Sequence, residues 1–422
     1  MTWFRTGRHR RRLLARAVLE VLLVAILETI AMTPARALRD VSPDKESCGP
    51  MQVAANSFDR LWATYHREII QAFDRVGKSG WYILGRACAA FEADLATFCG
   101  QAHAIGCGNG MDAIAIALKG AGIGPGDKVL TTPLSAFATA LAVVRAGAEP
   151  VFCDVDEYGL LDPDAVEMAL ADNPDVRCIL PVHLYGHLAD MERIARLAKD
   201  TGAVVIEDAA QAIGARRGCV RVGDLSQAAC LSFYPTKNLG ALGDGGAVVT
   251  SDAKLAELSR TLRNYGQSAQ YVHDEVGLNS RLDEVQAALL AEVFLPRLNG
   301  WTARRRTIAK HYLSEIHCPH VVLMPGPDPE GSVWHLFPVL VASDRRNAFL
   351  AHLAAAGVQA GRHYPILIPY QKAMQSRGIG RVVGDLKRAA TFASGEVSLP
   401  INPFLTDDEV AHVAATVSAW GG

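Results

Sequence analysis

Between residues 103 and 250, short apolar runs alternate with segments whose apolar residues recur at helical spacing. The runs at 103–108 and 203–208 have no polar face, which is typical of strands that are covered on both sides. Segments such as 111–122 and 190–202 have the periodicity of helices. Repeated strand–helix–strand units of this kind predict an α/β fold, with a mostly parallel sheet between layers of helices.

The pattern changes after about residue 285. A long helical stretch at 284–316 is expected to break at Pro296, because proline lacks the N–H that a helix uses. A strand is expected at 333–342, and the final helix begins at Thr406, with Glu409 in the capping-box position. The predicted organisation is an extension at 1–50, a large domain at 51–295 and a smaller α+β domain at 296–422.

The extension at 1–50 has an arginine cluster, an apolar run and a small-x-small site around Ala35–Ala37, as a signal peptide does. Glu20 and Glu28 interrupt the apolar run, which weakens both the signal-peptide and the membrane-segment interpretations. A third interpretation places the native start at Met51, from which the chain continues directly into an amphipathic helix. We favour the third, in which the extension is disordered or outside the native enzyme and has no catalytic role.

The composition of the chain argues against several classes of function. The chain has 422 residues, half of them hydrophobic, and a formal net charge of −2. This near-neutral balance gives no electrostatic basis for binding nucleic acid, and a membrane partner is not expected either. The nine cysteines include no CxxC pair, so neither a disulfide framework nor a metal site is expected, and reduced thiols favour a cytoplasmic location.

Candidate chemistry lies where the predicted strands end. Parallel sheets bind ligands beyond the carboxyl ends of their strands, and this places Asp208, His183 and the Asn109–Gly110 turn at one edge. Lys237 follows in a glycine-rich segment. A lysine that condenses with an aldehyde and an acid that pairs with a pyridinium nitrogen are the minimum of a pyridoxal phosphate site. Taken singly, a solvated lysine and a helix-capping or salt-bridged aspartate remain the alternatives.

The segment GCGNGMDAIAIAL (106–118) supplies a candidate phosphate site. Its glycine turn comes directly before a helix, whose free N–H groups and dipole attract an anion. The hydroxyl of Ser232 could donate to the same phosphate. The alternatives are an ordinary strand-to-helix turn and a buried structural serine.

Ordered motifs from residue 57 to 420, among them SGWYILG, GNGMDA, VIEDAAQAIGA, SFYPTKNLGALGDGGAVVT, NSRLDEVQAA and GRHYP, resemble the DegT/StrS-type sugar-nucleotide aminotransferase family. The resemblance implies fold type I of the pyridoxal phosphate enzymes, with a mostly parallel seven-stranded sheet in the large domain. It implies transfer of an amino group from L-glutamate, which leaves 2-oxoglutarate, to a nucleotide-linked 3-keto or 4-keto deoxy sugar. It also implies a homodimer with shared active sites.

The resemblance assigns roles to single residues. Lys237 matches the lysine that binds the cofactor, Asp208 the partner of its ring nitrogen, and Gln211 the residue beside its phenolic oxygen. The residues that match the family's phosphate cradle are Gly110, Met111 (through its backbone) and Ser232. Asn279 matches the asparagine that reaches the phosphate from the neighbouring subunit. The candidates for contact with substrate are His183, Tyr185, Arg281 and His363, and the alternative is a structural role, which is the commoner one for histidines near strand ends.

Two positions depart from the family pattern. Many members have threonine where Met111 stands, so only a backbone N–H remains there, as in members that act on 3-keto sugars. The position of the aromatic residue that stacks on the cofactor ring is Ala136 here, and either the adjacent Phe137 replaces it or Phe137 is an ordinary core residue.

Two other functions remain open. A sugar dehydratase of the same fold would have histidine in place of Lys237, and a regulatory protein without catalytic activity would be expected to lose Lys237 or Asp208. Both residues are present, which favours the aminotransferase.

Overall fold

The computed structural model describes residues 51–422, so the expectations for 1–50 lie outside the described residues. The helices are α1 Phe58–Ser79, α2 Arg86–Cys99, α3 Gly110–Gly120, α4 Phe137–Ala146, α5 Pro163–Asp172, α6 Met191–Thr201, α7 Ala253–Arg263, α8 Glu284–Leu289, α9 Leu298–Glu315, α10 Arg346–Ala355, α11 Lys372–Gln375, α12 Lys387–Gly395 and α13 Asp407–Ser418. The strands are β1 His103–Cys107, β2 Lys128–Thr131, β3 Glu149–Phe152, β4 Val176–Leu180, β5 Val204–Asp208, β6 Arg216–Arg217, β7 Val220–Arg221, β8 Ala228–Ser232, β9 Gly246–Thr250, β10 Gln267–Ala269, β11 Val272–His273, β12 Val322–Leu323, β13 Phe337–Leu340, β14 Arg381–Val382 and β15 Glu396–Leu399.

The main sheet has the strand order β1-β9-β8-β5-β4-β2-β3-β14. Its neighbours pair in parallel except at β9, which is antiparallel to both β1 and β8. The predicted α/β fold with a mostly parallel sheet is confirmed, but the sheet has eight strands rather than seven. The eighth, β14, contributes two residues at the edge beside β3, and a run of two residues is too short to produce a sequence signal.

The strands bury both of their faces, as the sequence pattern predicts. Successive residues contact different cores: Val129 and Ile206 pack with α3, α4 and α7, whereas Leu130 and Val205 pack with α2, α5 and α6 on the other side. This alternation follows from the two-residue period of a strand. The sheet is therefore held between two helix layers, and its polar chemistry is confined to the strand ends.

The C-terminal part builds a second sheet, in which β12, β13 and β15 are antiparallel. A separate core joins this sheet to α9, α10 and α13. Thr406 caps α13 in the predicted capping box, since its side chain accepts the N–H of Glu409 and the Glu409 carboxylate accepts the N–H of Thr406. The domain boundary at residues 295/296 stays a prediction.

Helical structure continues on both sides of Pro296. The expected interruption is instead taken up by a π-helical segment, Leu290–Phe294, and a 3-10 turn, Leu295–Arg297, which join α8 to α9. Proline is accommodated at the start of such a turn because its missing N–H has no helical acceptor there.

Among residues 51–422, no helix is both long and apolar enough to cross a bilayer. In the same range, the cysteines are unpaired thiols and no cluster of acidic, histidine and cysteine side chains could hold a metal ion.

Candidate active site

The carboxylate of Asp208 is fixed at the carboxyl end of β5. One oxygen accepts a hydrogen bond from Thr139 Oγ1 at 2.7 Å, and the other accepts the N–H of Ala210 at 3.2 Å. Asp208 is buried. A buried carboxylate with these neutral donors can still pair with a cation, as a pyridinium partner must.

Lys237 lies in the loop that joins β8 to β9. Its backbone N–H donates to the carbonyl of Tyr234 at 2.8 Å, and Gly240 closes the same turn, where a Cβ would lie 2.3 Å from the carbonyl oxygen of Pro235. Burial lowers the pKa of the Lys237 amine to about 8, and the nearby Asp208 carboxylate partly opposes that effect. Within residues 51–422, no side chain forms an ion pair with the Lys237 amine.

The N-terminus of α3 and the end of β8 form a narrow cradle. Asn109 caps α3 by accepting the N–H of Asp112 at 2.8 Å, and the first-turn N–H groups of Gly110 and Met111 have no helical acceptor. A Cβ on Gly110 would lie 2.6 Å from Cβ of Ser232, so only glycine allows this approach. Free N–H groups beside a serine hydroxyl fit a phosphate.

Gln211 connects two tyrosines near this edge. Its Oε1 accepts the N–H of Tyr185 at 2.7 Å, and its Nε2 donates to Tyr364 Oη at 3.3 Å. The buried Tyr185, whose φ of 62° lies in the left-handed region, donates its hydroxyl to the carbonyl of His363 at 2.8 Å. Tyr364 was missed by sequence reasoning, although the GRHYP motif contains it.

His183 is fully buried and both of its ring nitrogens are used within the protein. Nδ1 accepts the N–H of Ala189 at 3.2 Å, so Nε2 carries the proton and donates to the Glu207 carboxylate at 2.7 Å. The backbone N–H of His183 also donates to the carbonyl of Asp208 at 3.0 Å. These bonds fix His183 beside β5, and its contact with substrate stays a prediction.

Phe137 is the first residue of α4 and packs against a small apolar cluster that contains Phe152, Ile368 and Met374. These contacts match the core alternative of the sequence interpretation. Stacking of Phe137 on a cofactor ring stays a prediction.

Asn279 and Arg281 lie in a separate stretch of the surface. Asn279 is exposed, and the adjacent Ser280 accepts the N–H of Gly108 at 2.9 Å, close to the α3 cradle. Arg281 donates to Asn264 Oδ1 at 2.9 Å, and its guanidinium lies 4.9 Å from the ring centre of Tyr265. Within residues 51–422, neither residue is hydrogen-bonded to the groups around Lys237.

Two imidazoles lie near Lys237, and only one was found from the sequence. His335 Nδ1 is 2.9 Å from Asn238 Oδ1, and burial, reinforced by the charge of Lys237, holds the pKa of His335 well below its ordinary value. Burial and then the same charge lower the pKa of His363 to about 4. Both rings are therefore neutral near pH 7. His335 lies in a predicted strand, and nothing in that pattern indicated a site.

The sequence of this chain matches a known protein family and several characterised proteins. The DegT/DnrJ/EryC1/StrS aminotransferase family model matches residues 64–418. The chain is 45% identical to the erythromycin biosynthesis sensory transduction protein EryC1 of Saccharopolyspora erythraea, over 83% of this chain and 95% of that protein. It is also 45% identical to the dTDP-3-amino-3,4,6-trideoxy-alpha-D-glucose transaminase of Streptomyces venezuelae, over 83% of this chain and 91% of that protein.

A solved structure shows the same fold. The crystal structure of S. venezuelae DesV in complex with a ketimine intermediate superimposes with a TM-score of 0.83 and is 42% identical. The match covers 88% of this chain and 99% of the DesV chain.

Proposed function

The chain belongs to the DegT/DnrJ/EryC1/StrS aminotransferase family, and from that premise we propose that it is a pyridoxal phosphate-dependent aminotransferase that converts a nucleotide-linked keto-deoxy sugar into an amino sugar. L-Glutamate is the proposed amino donor. One observation carries the proposal: the amine of Lys237, with no ion-pair partner in the described part of the chain and a pKa lowered to about 8, lies within electrostatic reach of the buried Asp208 carboxylate.

The described residues fit the cofactor. The close approach of Gly110 to Ser232 and the free N–H groups at the start of α3 suit its phosphate, and Asp208 suits its ring nitrogen. Gln211 would lie beside its phenolic oxygen. Bound there, pyridoxal phosphate would supply an electron sink for the carbon from which a proton is removed.

The protein's own groups would then have distinct tasks. The amine of Lys237 accepts a proton from the α-carbon of the donor and later returns one, for which a pKa near the working pH is suited. The Asp208 carboxylate, oriented by Thr139, stabilises positive charge on its partner. The α3 amides and Ser232 hold the anionic end and thereby orient the reacting end.

A 3-keto sugar is the proposed acceptor. The transaminase from S. venezuelae is named for a 3-amino product, and Met111 is the apolar residue that we associated with 3-keto substrates. The partly buried Met111 side chain packs against the core beside α3, so it adds no polar group to the cradle.

The function is tested by supplying purified protein with ¹⁵N-labelled L-glutamate and a panel of dTDP- and UDP-linked 3-keto and 4-keto sugars. We expect ¹⁵N to appear in a 3-amino product by mass spectrometry. The name of EryC1 describes sensory transduction rather than catalysis, so a regulatory role is the competing candidate. Protein that binds the cofactor but labels no sugar in the panel would favour that role.

A homodimer with shared active sites is part of the proposal. Large apolar side chains are exposed on α1 and the turn after it, and a second copy of the chain would cover such a surface. They are Phe58, Trp62, Ile70, Phe73, Trp81 and Tyr82. Asn279 is exposed, as the proposed contact with the neighbouring subunit requires.

A further inference from the structure

Arg305, on α9, is a buried cation without an acidic partner. The residue is 6% exposed, and only its Nη1 atom is hydrogen-bonded, to the carbonyls of Trp334 at 3.2 Å, His335 at 3.4 Å and Ile401 at 3.0 Å. Burial lowers the pKa of Arg305 to about 10, and no carboxylate in the described part of the chain opposes that effect. A guanidinium has five N–H donors, so the Nε and Nη2 groups remain available.

Two cavities with shared lining residues lie beside Arg305, and Lys237 lines one of them. One, of about 40 Å³, is lined by Lys237, Thr236 and Asn402 as well as Arg305. Thr236, Arg305 and Asn402 also line the second, of about 120 Å³, together with His363. Because a buried water needs roughly 10–15 Å³, even the smaller cavity can hold a few waters or one carboxylate group. Neither can hold a nucleotide.

The charges around these cavities have one sign. Lys237 and Arg305 are cationic, and the imidazoles of His335 and His363 are neutral because their pKa values are lowered. Glu396, a buried acid, accepts the N–H of His363 at 2.6 Å, but burial raises its pKa to about 8, so it is mostly protonated at neutral pH. An uncompensated buried cation of this kind is costly unless an anion binds to it.

We propose that Arg305 binds the side-chain carboxylate of the amino donor and selects dicarboxylic amino acids over those with short apolar side chains. The inference rests on the proposed function, because the donor must present its amine to the Lys237 site while its far end reaches the cavity. A planar guanidinium edge with two free donor groups matches the two oxygens of a carboxylate. Arg305 thus gives the site its donor specificity.

The first test compares amino donors in single-turnover reactions of the holoenzyme. We expect Arg305→Met to lower kcat/KM for L-glutamate by roughly tenfold to a hundredfold, since a charged hydrogen-bonded pair is lost. The loss with L-alanine, which has no side-chain carboxylate, should be much smaller than the loss with L-glutamate. Arg306→Met is the matched control, because Arg306 also donates to backbone carbonyls, at Ser332 and Gly331, but does not line either cavity. Equal losses with both donors would overturn the proposal.

The second test needs no turnover. Calorimetry should show that the holoenzyme binds glutarate more tightly than pentanoate, which has one carboxylate fewer, and that Arg305→Met removes this preference whereas Arg306→Met keeps it. Glutarate affinity that is independent of Arg305 would refute the inference even if the sugar is aminated. Conversely, Arg305-dependent glutarate binding without sugar amination would support a dicarboxylate site at Arg305 and remove the proposed function.

A structural readout covers the case in which Arg305→Met does not fold. Arg305→Lys keeps the charge but loses the planar fork, so it should retain part of the glutarate preference. In a crystal structure of the wild-type holoenzyme with glutarate, a carboxylate must lie within hydrogen-bond distance of the Arg305 guanidinium. Glutarate bound elsewhere would also overturn the assignment.

Discussion

The amine of Lys237 experiences two opposing effects. Partial burial disfavours its charged form, whereas the carboxylate of Asp208 favours it, and burial is the larger effect. An exposed lysine is almost entirely protonated at pH 8. Lys237 is about half neutral at that pH, and only the neutral amine can attack a carbonyl carbon.

The first prediction concerns pH. When pyridoxal phosphate is added to the apoprotein, the rate of its capture by Lys237 should rise between pH 7 and pH 9 with a midpoint near 8, because deprotonation produces the nucleophile. Stopped-flow absorbance would measure this rate. Lys237→Ala is the control and should show neither covalent capture nor product. A midpoint near that of an ordinary lysine would show that the site does not depress the pKa.

The second prediction isolates the charge of Asp208. Asp208→Asn keeps a side chain that can still accept the hydrogen bond from Thr139, but it no longer stabilises a protonated ring nitrogen. Since an adjacent opposite charge shifts a pKa by about 1–3 units, turnover should fall roughly tenfold to a thousandfold while the cofactor remains bound. The absorbance of the bound cofactor and steady-state rates would measure both effects. Unchanged turnover would exclude Asp208 as the ring-nitrogen partner.

At the scale of elements, the N-terminus of α2 depends on a distant residue. Gly85, its N-cap, has no side chain, and the carboxylate of Glu284 accepts the N–H groups of Gly85, Ala87 and Cys88 at 2.8, 2.9 and 2.8 Å. Glu284 is the first residue of α8 and is buried. One carboxylate therefore accepts three N–H groups at the start of α2 and ties two helices together.

The third prediction follows from that contact. Glu284→Gln removes the charge at nearly constant shape and should lower the free energy of unfolding by about 2–4 kcal/mol, because charged hydrogen bonds to a buried helix end are lost. Urea denaturation of the apoprotein at fixed concentration would measure it. Glu68→Gln, which removes a half-exposed ion pair with Arg297, is the control and should cost less than about 1 kcal/mol. Equal effects would mean that the capping contact contributes little.

Element prediction from the sequence succeeded where a local signal exists. The apolar strands and the Thr406 capping box carry their signal in adjacent residues and were found. Two features depend on partners far along the chain and gave no local signal: the pairing of β14 with β3 and the capping of α2 by Glu284.

The same limit applies to the candidate site. Asp208, Lys237, Gly110 and Ser232 belong to contiguous motifs, and the structure brings them to one edge of the sheet. His335 and Arg305 line a cavity with His363 through the packing of the C-terminal part, so no sequence pattern marks them.

At the scale of the whole molecule, shared active sites can be tested by mixing inactive subunits. If Asn279 completes the neighbouring site, a dimer of one Lys237→Ala and one Asn279→Ala chain contains one intact site and one doubly defective site. Refolding the two variants together in equal amounts should restore about a quarter of wild-type activity and of tight cofactor binding. Activity no higher than the sum of the separate variants would show that each chain builds its site alone.

The antiparallel strand β9 also affects the order in which the strands of the main sheet can pair during folding. Within the main sheet, β1 lies at the edge and pairs only with β9. During synthesis, β1 leaves the ribosome early but has no partner until Gly246–Thr250 has followed, whereas β8 and β9 are neighbours and can pair as soon as the Lys237 loop is complete. The short loop between β8 and β9 favours their pairing first, and β1 remains without its strand partner until β9 has been synthesised.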